Sequence, residues 1–250
     1  MWRILTYNVH RCLGPDGVLS PERIAEVIAY ADPDIVALQE LDVRRPRTGG
    51  VDQARVIADA LGMTVHFHAA VRVMEEMYGD AILTAAPCRL VKTGHLPGKS
   101  LIPNRDPRGA LWSAVTLDAN EVQIINTHLG VTQHERETQV ETLLGDDWLS
   151  HPECRDPVIL AGDFNSVPQG RTYRQLAAKL GSTHRVVPVD GGYPTFPSRL
   201  PLLGIDHVFA SPSVEILSAD VLRTPLARLA SDHLPLVVDF RLMPDEGAAG

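Results

Sequence analysis

An α/β fold is the class that this 250-residue sequence predicts, on three observations. Short segments of strand length, several of them apolar at every position, recur between Gly and Pro punctuation, as strands covered on both faces do. Four other segments carry apolar residues at helical spacing, as helices lying on a sheet face do. No internal repeat and no linker-like composition divides the chain, so one domain over 1–243 is expected, followed by a frayed tail at 244–250.

Taken in order, residues 3–9 read as a strand that delivers Asn8 and, on the same side, His10. Ser20 and Pro21 make an N-cap and first-turn pair for a helix whose Ile24, Val27, Ile28 and Ala31 share a face, and Asp32-Pro33 ends it. A short buried strand at 35–38 ends at Gln39-Glu40. The loop 42–52 holds Arg44, Arg45 and Arg47 and then Gly49-Gly50, whose backbone N–H groups could form an anion nest; the bland alternative is a solvated loop. A helix over 52–61 turns Ala54, Ala58 and Leu61 inward and stops at Gly62.

Strands are expected at 64–70, 80–85, 89–96, 110–117 and 121–127, with His66 and His68 on one face of the first as structural residues. Thr132 and Glu135 form a capping box for a helix through about 149, with Val140, Leu143, Leu144 and Trp148 inward. A strand at 157–161, a helix at 170–180, a Pro-rich loop at 193–204 and strands at 205–210, 214–221 and 235–242 complete the chain.

A hydrophobic content of 44% with 22% charged residues is ordinary for a globular protein, and no apolar run is long enough to span a membrane. The formal net charge of −8 opposes non-specific binding to nucleic acid or anionic membrane. Three widely spaced cysteines and no export signal ahead of the first strand fit free thiols in a reducing compartment, so a cytoplasmic monomer is expected.

Chemistry concentrates where the apolar runs end. Residues 158–161 run into Gly162, Asp163 and Asn165, and residues two apart on an extended chain point the same way. Similar endings occur at Asn8, at Gln39-Glu40, at Asn126-Thr127-His128, at Asp206-His207 and at Asp232-His233. Carboxylates and carboxamides are hard oxygen ligands suited to Mg²⁺ or Mn²⁺, and a histidine beside an aspartate suits acid–base work. Neither a Gly-x-Ser-x-Gly elbow nor a phosphate-binding P-loop is present.

Thr-Tyr-Asn-Val-His, Leu-Gln-Glu, Tyr-Gly-Asp-Ala-Ile-Leu, Asn-Thr-His-Leu, Gly-Asp-Phe-Asn, Ile-Asp-His-Val-Phe and Ser-Asp-His-Leu-Pro, in this order over 6–235, resemble the endonuclease/exonuclease/phosphatase superfamily. The resemblance implies a four-layer α/β sandwich, two mixed β-sheets face to face with helices outside. It implies Glu40 as main metal ligand with Asn8 beside it and Asp232 near the metal, Asp163 orienting the attacking water, and Asn165 holding a phosphate oxygen. It further implies that His128 stabilises developing charge and that His233, oriented by Asp206, contacts the scissile phosphate or serves as acid–base group. His207 alternates to the opposite face and is read as structural. His10 stands where many members carry Asp, and Asp80 where an amide is common.

Members of that superfamily act on many phosphate esters. The acidic balance and the absence of an aromatic and basic insert in 193–204 argue against duplex DNA and for a small or lipid-derived phosphodiester, or a monoester. A nuclease for short or single strands is the alternative. A non-catalytic binding module comes third, since every core catalytic position is filled. Arg47 is the residue expected to bind the substrate's anionic group at the rim of the site.

Overall fold

Alternation along the central strands sorts their apolar side chains into three cores. The computed structural model describes residues 1–98, 106–181 and 193–244, so the tail beyond Pro244 lies outside the described residues. One sheet has six strands in the order β10 (Val214–Val221), β11 (Leu236–Leu242), β1 (Trp2–Asn8), β2 (Ile35–Val43), β4 (Glu76–Thr84) and β3 (Thr64–Val73). The other has five, β5 (Cys88–His95), β6 (Gly109–Leu117), β7 (Asn120–His128), β8 (Val158–Asp163) and β9 (Asp206–Ala210). In each sheet one central pair is parallel, β1 with β2 and β7 with β8, while their other pairings are antiparallel.

Ile4, Ile35, Ile82, Ile124, Ile159, Val208 and Phe240 fill the space between the sheets. Their immediate neighbours Leu5 and Val36 face outward against Ile24 and Ile28 of α1 (Pro21–Ala31) and Ile57 of α2 (Gln53–Leu61). On the second sheet Ile125 and Leu160 face outward against Val140 and Leu143 of α3 (Gln133–Leu144) and Tyr173 and Leu176 of α4 (Arg171–Leu180). The fold is therefore a four-layer α/β sandwich, and strands buried on both faces are apolar at successive positions for that reason. A four-residue helix, α5 (Ala227–Ala230), precedes β11.

The expected caps are in place. Ser20 Oγ accepts from the Arg23 N–H, and Thr132 and Glu135 close a full capping box. Three boundaries differ from expectation by four residues or more. The helix expected through 149 stops at Leu144, because Gly145 is extended (φ −78°, ψ −179°); Trp148 is buried from the turn that follows. The strand expected at 80–85 starts at Glu76, because β3 and β4 form a hairpin around Met74-Glu75. The strand expected to end before Gln39 runs on to Val43 through an irregularity at Glu40, which matters for the site.

Gly162 is required by close approach. It sits at φ 149°, and a Cβ there would lie 1.9 Å from the Thr127 carbonyl oxygen on β7. Gly162→Ala should therefore cost about 1–3 kcal/mol, the usual penalty of enforced backbone strain, read as a lowered denaturation midpoint. A midpoint equal to wild type would show that β7 and β8 have room to part.

Candidate active site

The site is the continuation of the inter-sheet core at one end of the sandwich. Period two carries Ile4 to Thr6 and Asn8, Ile124 to Asn126 and His128, Ile159 to Ala161 and Asp163, and Val208 back to Asp206, all on the face turned toward the other sheet. Because β1, β2, β7 and β8 all end at this end, their last inward side chains meet there. His207, one residue out of phase, faces the opposite way, packing against Phe164 and Tyr173 with Nε2 2.6 Å from the Ser166 carbonyl oxygen.

Glu40 breaks the rule. Ile35, Ala37 and Gln39 are in phase with the inter-sheet face, so regular alternation would turn Glu40 outward. Instead β2 bulges between Leu38 and Leu41, with Gln39 and Glu40 opposite Asp80 alone, and Glu40 adopts φ 64°. Its backbone N–H points to Asp80 Oδ1 at 3.4 Å, and its carboxylate comes within 3.4 Å of Asn8 Nδ2 and 3.8 Å of His128 Nδ1. A left-handed non-glycine residue in a bulge beside a polar cluster is a device for re-aiming one side chain. Asp80 is buried, and burial, countered by Arg108, pushes its carboxyl up to about 7.

Asn8 links the two sheets: Nδ2 donates to Asp163 Oδ2 at 3.0 Å while Oδ1 accepts from the His10 N–H at 3.0 Å. Asp163 also accepts the Asn165 N–H at 2.9 Å. Burial, reinforced by the charge of Asp206, raises the Asp163 proton affinity. Asp206 is fully buried and accepts from Thr195 Oγ1 and, at 2.9 Å, from His233 Nδ1. For His233 burial opposes the charge, but Asp206 outweighs it and pushes the imidazole up to about 10, so it is a cation at neutral pH. Its Nε2 stands 3.7 Å from Asp163 Oδ2.

His128 is the electrostatic opposite, driven well down by burial and by the neighbouring charges of Arg108 and His233. Arg108 Nη1 lies 3.1 Å from His128 Nδ1, and a guanidinium can only donate, so Nδ1 is the acceptor and the ring proton sits on Nε2. That proton faces Asp163 Oδ2 at 3.4 Å. Asn165 Nδ2, 3.2 Å from the same ring nitrogen, has its own acceptor in the Leu129 carbonyl at 3.0 Å.

A cleft of about 270 Å³ opens over Glu40 and is also lined by His10, Tyr78, Asp106, Arg108 and Asp232. Asp232 Oδ1 lies 3.8 Å from His10 Nδ1. The structure thus collects Asn8, Glu40, His128, Asp163, Asn165, Asp206, Asp232 and His233 in and beneath one cleft. Arg47 stands apart: its guanidinium is a two-pronged donor to the buried Asp42 carboxylate, at 2.7 and 2.6 Å, and lies 5.5 Å from the Tyr78 ring centre. An anion would have to compete with that pair. The arginines that face the cleft are Arg11 and Arg108. Arg108 was overlooked because it follows no strand-end motif; its one signal is its place just before β6, whose partner strand ends at His128.

The carboxylates of Glu40 and Asp232 fit a hard divalent cation, and Asn8 would join them through Oδ1 only by giving up the His10 N–H, since its Nδ2 is the atom turned toward Glu40. Asp163, Asp206 and His233 also have potential ligand atoms within 4.8 Å of one another, but a metal there would have to displace the proton shared by Asp206 and His233.

A four-layer sandwich with this polar collection at the ends of its central strands is a fold of phosphoesterases and nucleases. The chain belongs to the Endonuclease/Exonuclease/phosphatase family, which it matches over residues 5–233. It is 24% identical over 255 residues to the uncharacterized protein YbhP of Escherichia coli (strain K12), covering 96% of each. A solved endonuclease/exonuclease/phosphatase from Beutenbergia cavernae superposes with a TM-score of 0.79 at 26% identity, over 97% of this chain and 72% of that one. The human Nocturnin catalytic domain, solved with a bound sulfate anion, superposes with a TM-score of 0.72 at 25% identity, over 97% of this chain and 94% of that one.

The His233–Asp206 pair predicts a pH signature. The folded state raises the His233 proton affinity, so the pair's contribution is complete below the ordinary histidine range and is lost as pH rises toward about 10. Asp206→Asn should therefore destabilise most near pH 6 and progressively less at alkaline pH, measured by denaturation across that range. A stability difference independent of pH would assign the pair no charge.

Proposed function

We propose that the chain is a divalent-metal-dependent phosphoesterase that hydrolyses a phosphodiester, or a phosphomonoester, of a small or lipid-derived substrate by in-line attack of water. The observation that carries this reading is one buried cluster in which Asp163 Oδ2 lies 3.0 Å from Asn8 Nδ2, 3.4 Å from His128 Nε2 and 3.7 Å from His233 Nε2, with burial lowering the proton affinity of His128 and Asp206 raising that of His233. Such a cluster serves an acid, a base and a developing anion together.

Glu40, with Asn8 and Asp232, would hold Mg²⁺ or Mn²⁺, which when bound supplies positive charge against a phosphoryl oxygen. Asp163, its Oδ2 fixed by Asn8, orients the water and takes its proton as the water oxygen bonds to phosphorus; the opposite P–O bond breaks, and the departing oxygen takes up a proton to leave as the alcohol. His233, kept charged by Asp206, donates from Nε2 to a phosphate oxygen, and Asn165, His128 and Arg108 offer N–H groups to the others. Donors already aimed at the positions where charge develops need no rearrangement during the reaction. Arg47 would add to anion binding by exchanging Asp42 for the substrate. A nuclease acting on short or single strands would use the same groups, so plasmid and oligonucleotide substrates separate that alternative.

Two outcomes test the reading. Glu40→Gln should abolish turnover of a generic phosphodiester with little change in stability, and excess chelator should do the same reversibly; full turnover in chelator would remove the metal. His233→Ala and Asp163→Asn should each slow turnover by roughly 10²–10⁴-fold, and the double variant by far less than the product, because the two act on one phosphate. A single variant within threefold of wild type would take that residue out of the reaction.

A further inference from the structure

The loop 193–204 and its neighbours expose an apolar face beside the cleft that nothing in the proposed chemistry uses. Val18 and Leu19 on one loop, Leu200, Leu202 and Leu203 on a second, and Leu229 on α5 are all exposed, with Leu200 and Leu202 at 65% and 68%. These segments are tied into one surface: Arg199 donates to the Pro15 carbonyl at 3.0 Å, Arg228 to the Ser198 and Arg199 carbonyls at 3.2 and 3.1 Å, and Gly14 packs directly on the Leu229 carbonyl. The turn at Gly17 stands clear, with no atom within 4 Å of where its Cβ would be.

The face adjoins the site. Phe196 lies 4.9 Å from His233, ring centre to ring centre, and the Ser198 N–H donates to the Asp232 carbonyl at 2.6 Å. Scattered exposed leucines need no explanation, but several on adjoining loops at the mouth of a cleft mark an interaction surface. Its charge says which kind. Both Arg199 and Arg228 satisfy neutral carbonyls, and among the described residues neither forms an ion pair, so each keeps its full positive charge within an apolar patch. On a chain of net charge −8 this makes a local cationic pole.

We propose that this face docks on a lipid surface bearing anionic phosphate headgroups, the leucines entering the acyl boundary and the arginines meeting phosphates, so that headgroup esters are presented to the cleft. Apolar side chains flanked by Arg are the composition that binds such an interface. A second copy of the chain would instead bring like-charged patches together. The proposal rests on the phosphoesterase reading for its purpose but not for its test.

The test is sedimentation of the full chain with phosphatidylcholine vesicles, with and without phosphatidylglycerol, comparing wild type with Leu200→Asp/Leu202→Asp. The expected result is binding that rises with the anionic lipid and falls by roughly tenfold or more in the variant, with the melting temperature and turnover of soluble bis(p-nitrophenyl) phosphate unchanged. Wild type that ignores vesicles, or a variant that binds as well, overturns the proposal. So does a wild-type dimer dispersed by the same substitutions, which would assign the face to a second copy. Turnover without vesicle binding strikes only the lipid surface; vesicle binding without turnover of any ester upholds the surface and strikes the hydrolytic reading.

Discussion

One buried contact sets the height at which everything else in the cleft stands. Gln39 Nε2 on β2 donates to Asn126 Oδ1 on β7 at 2.8 Å, and Asn126 Nδ2 donates back across the sandwich to the Leu38 and Ala81 carbonyls at 2.8 and 2.9 Å. Both carboxamides are fully buried. Sheets held only by apolar contact can slide on one another, because the hydrophobic effect has no direction. A reciprocal amide clamp has direction and a strict length, and breaking half of it would leave buried donors and acceptors unpaired. Directly above it stand Asn8 and Asp163, one from each sheet, 3.0 Å apart.

This clamp explains how a fold can put so many polar groups together. Along β1 and β7 the inward face reads apolar, then amide or hydroxyl, then site residue, Ile4-Thr6-Asn8 and Ile124-Asn126-His128, while on β2 the run Ile35-Ala37-Gln39 ends at the clamp amide itself. The core tightens the strands, the amides fix the register between sheets, and the last position inherits both constraints. Asn8, His128, Asp163 and Asp206 stand on strands and need no loop to find its conformation, which favours pre-organisation of that part of the site, whereas Asn165, Asp232 and His233 come from the bends beside them.

Because it obeys period two, much of this was legible in the sequence. The doubly buried strands announced an α/β fold, the motif order resembled the family and through it implied the sandwich, and the opposite orientation of His207 followed from its position beside Asp206. What was not legible broke a local rule. Glu40 faces the site through a left-handed bulge, and no residue type marks that conformation as Gly would. The pairing of Arg47 with Asp42 was not legible either, because Asp42, five residues before it, gave no sign of being buried. Trp148 was correctly inward but for the wrong reason, packing from a turn after Gly145 had ended the helix.

The charge balance of the cleft carries the argument one step further. Glu40, Asp80, Asp106, Asp163 and Asp232 stand in or against it, and among the described residues the positive groups that face them include Arg11, Arg108 and His233. Burial, with the charge of neighbouring carboxylates adding to it, raises the proton affinity of Asp80 and Asp163. A protein that needed only stability would replace such groups with apolar ones of the same size. An excess of carboxylate that is retained at the open end of a rigid core is instead suited to a cation, and the N–H groups of Arg108, His128 and His233 beside it are suited to an anion. A site that asks for a metal ion and an anion side by side has the electrostatics of a metal-bound phosphate ester, whichever ester it is.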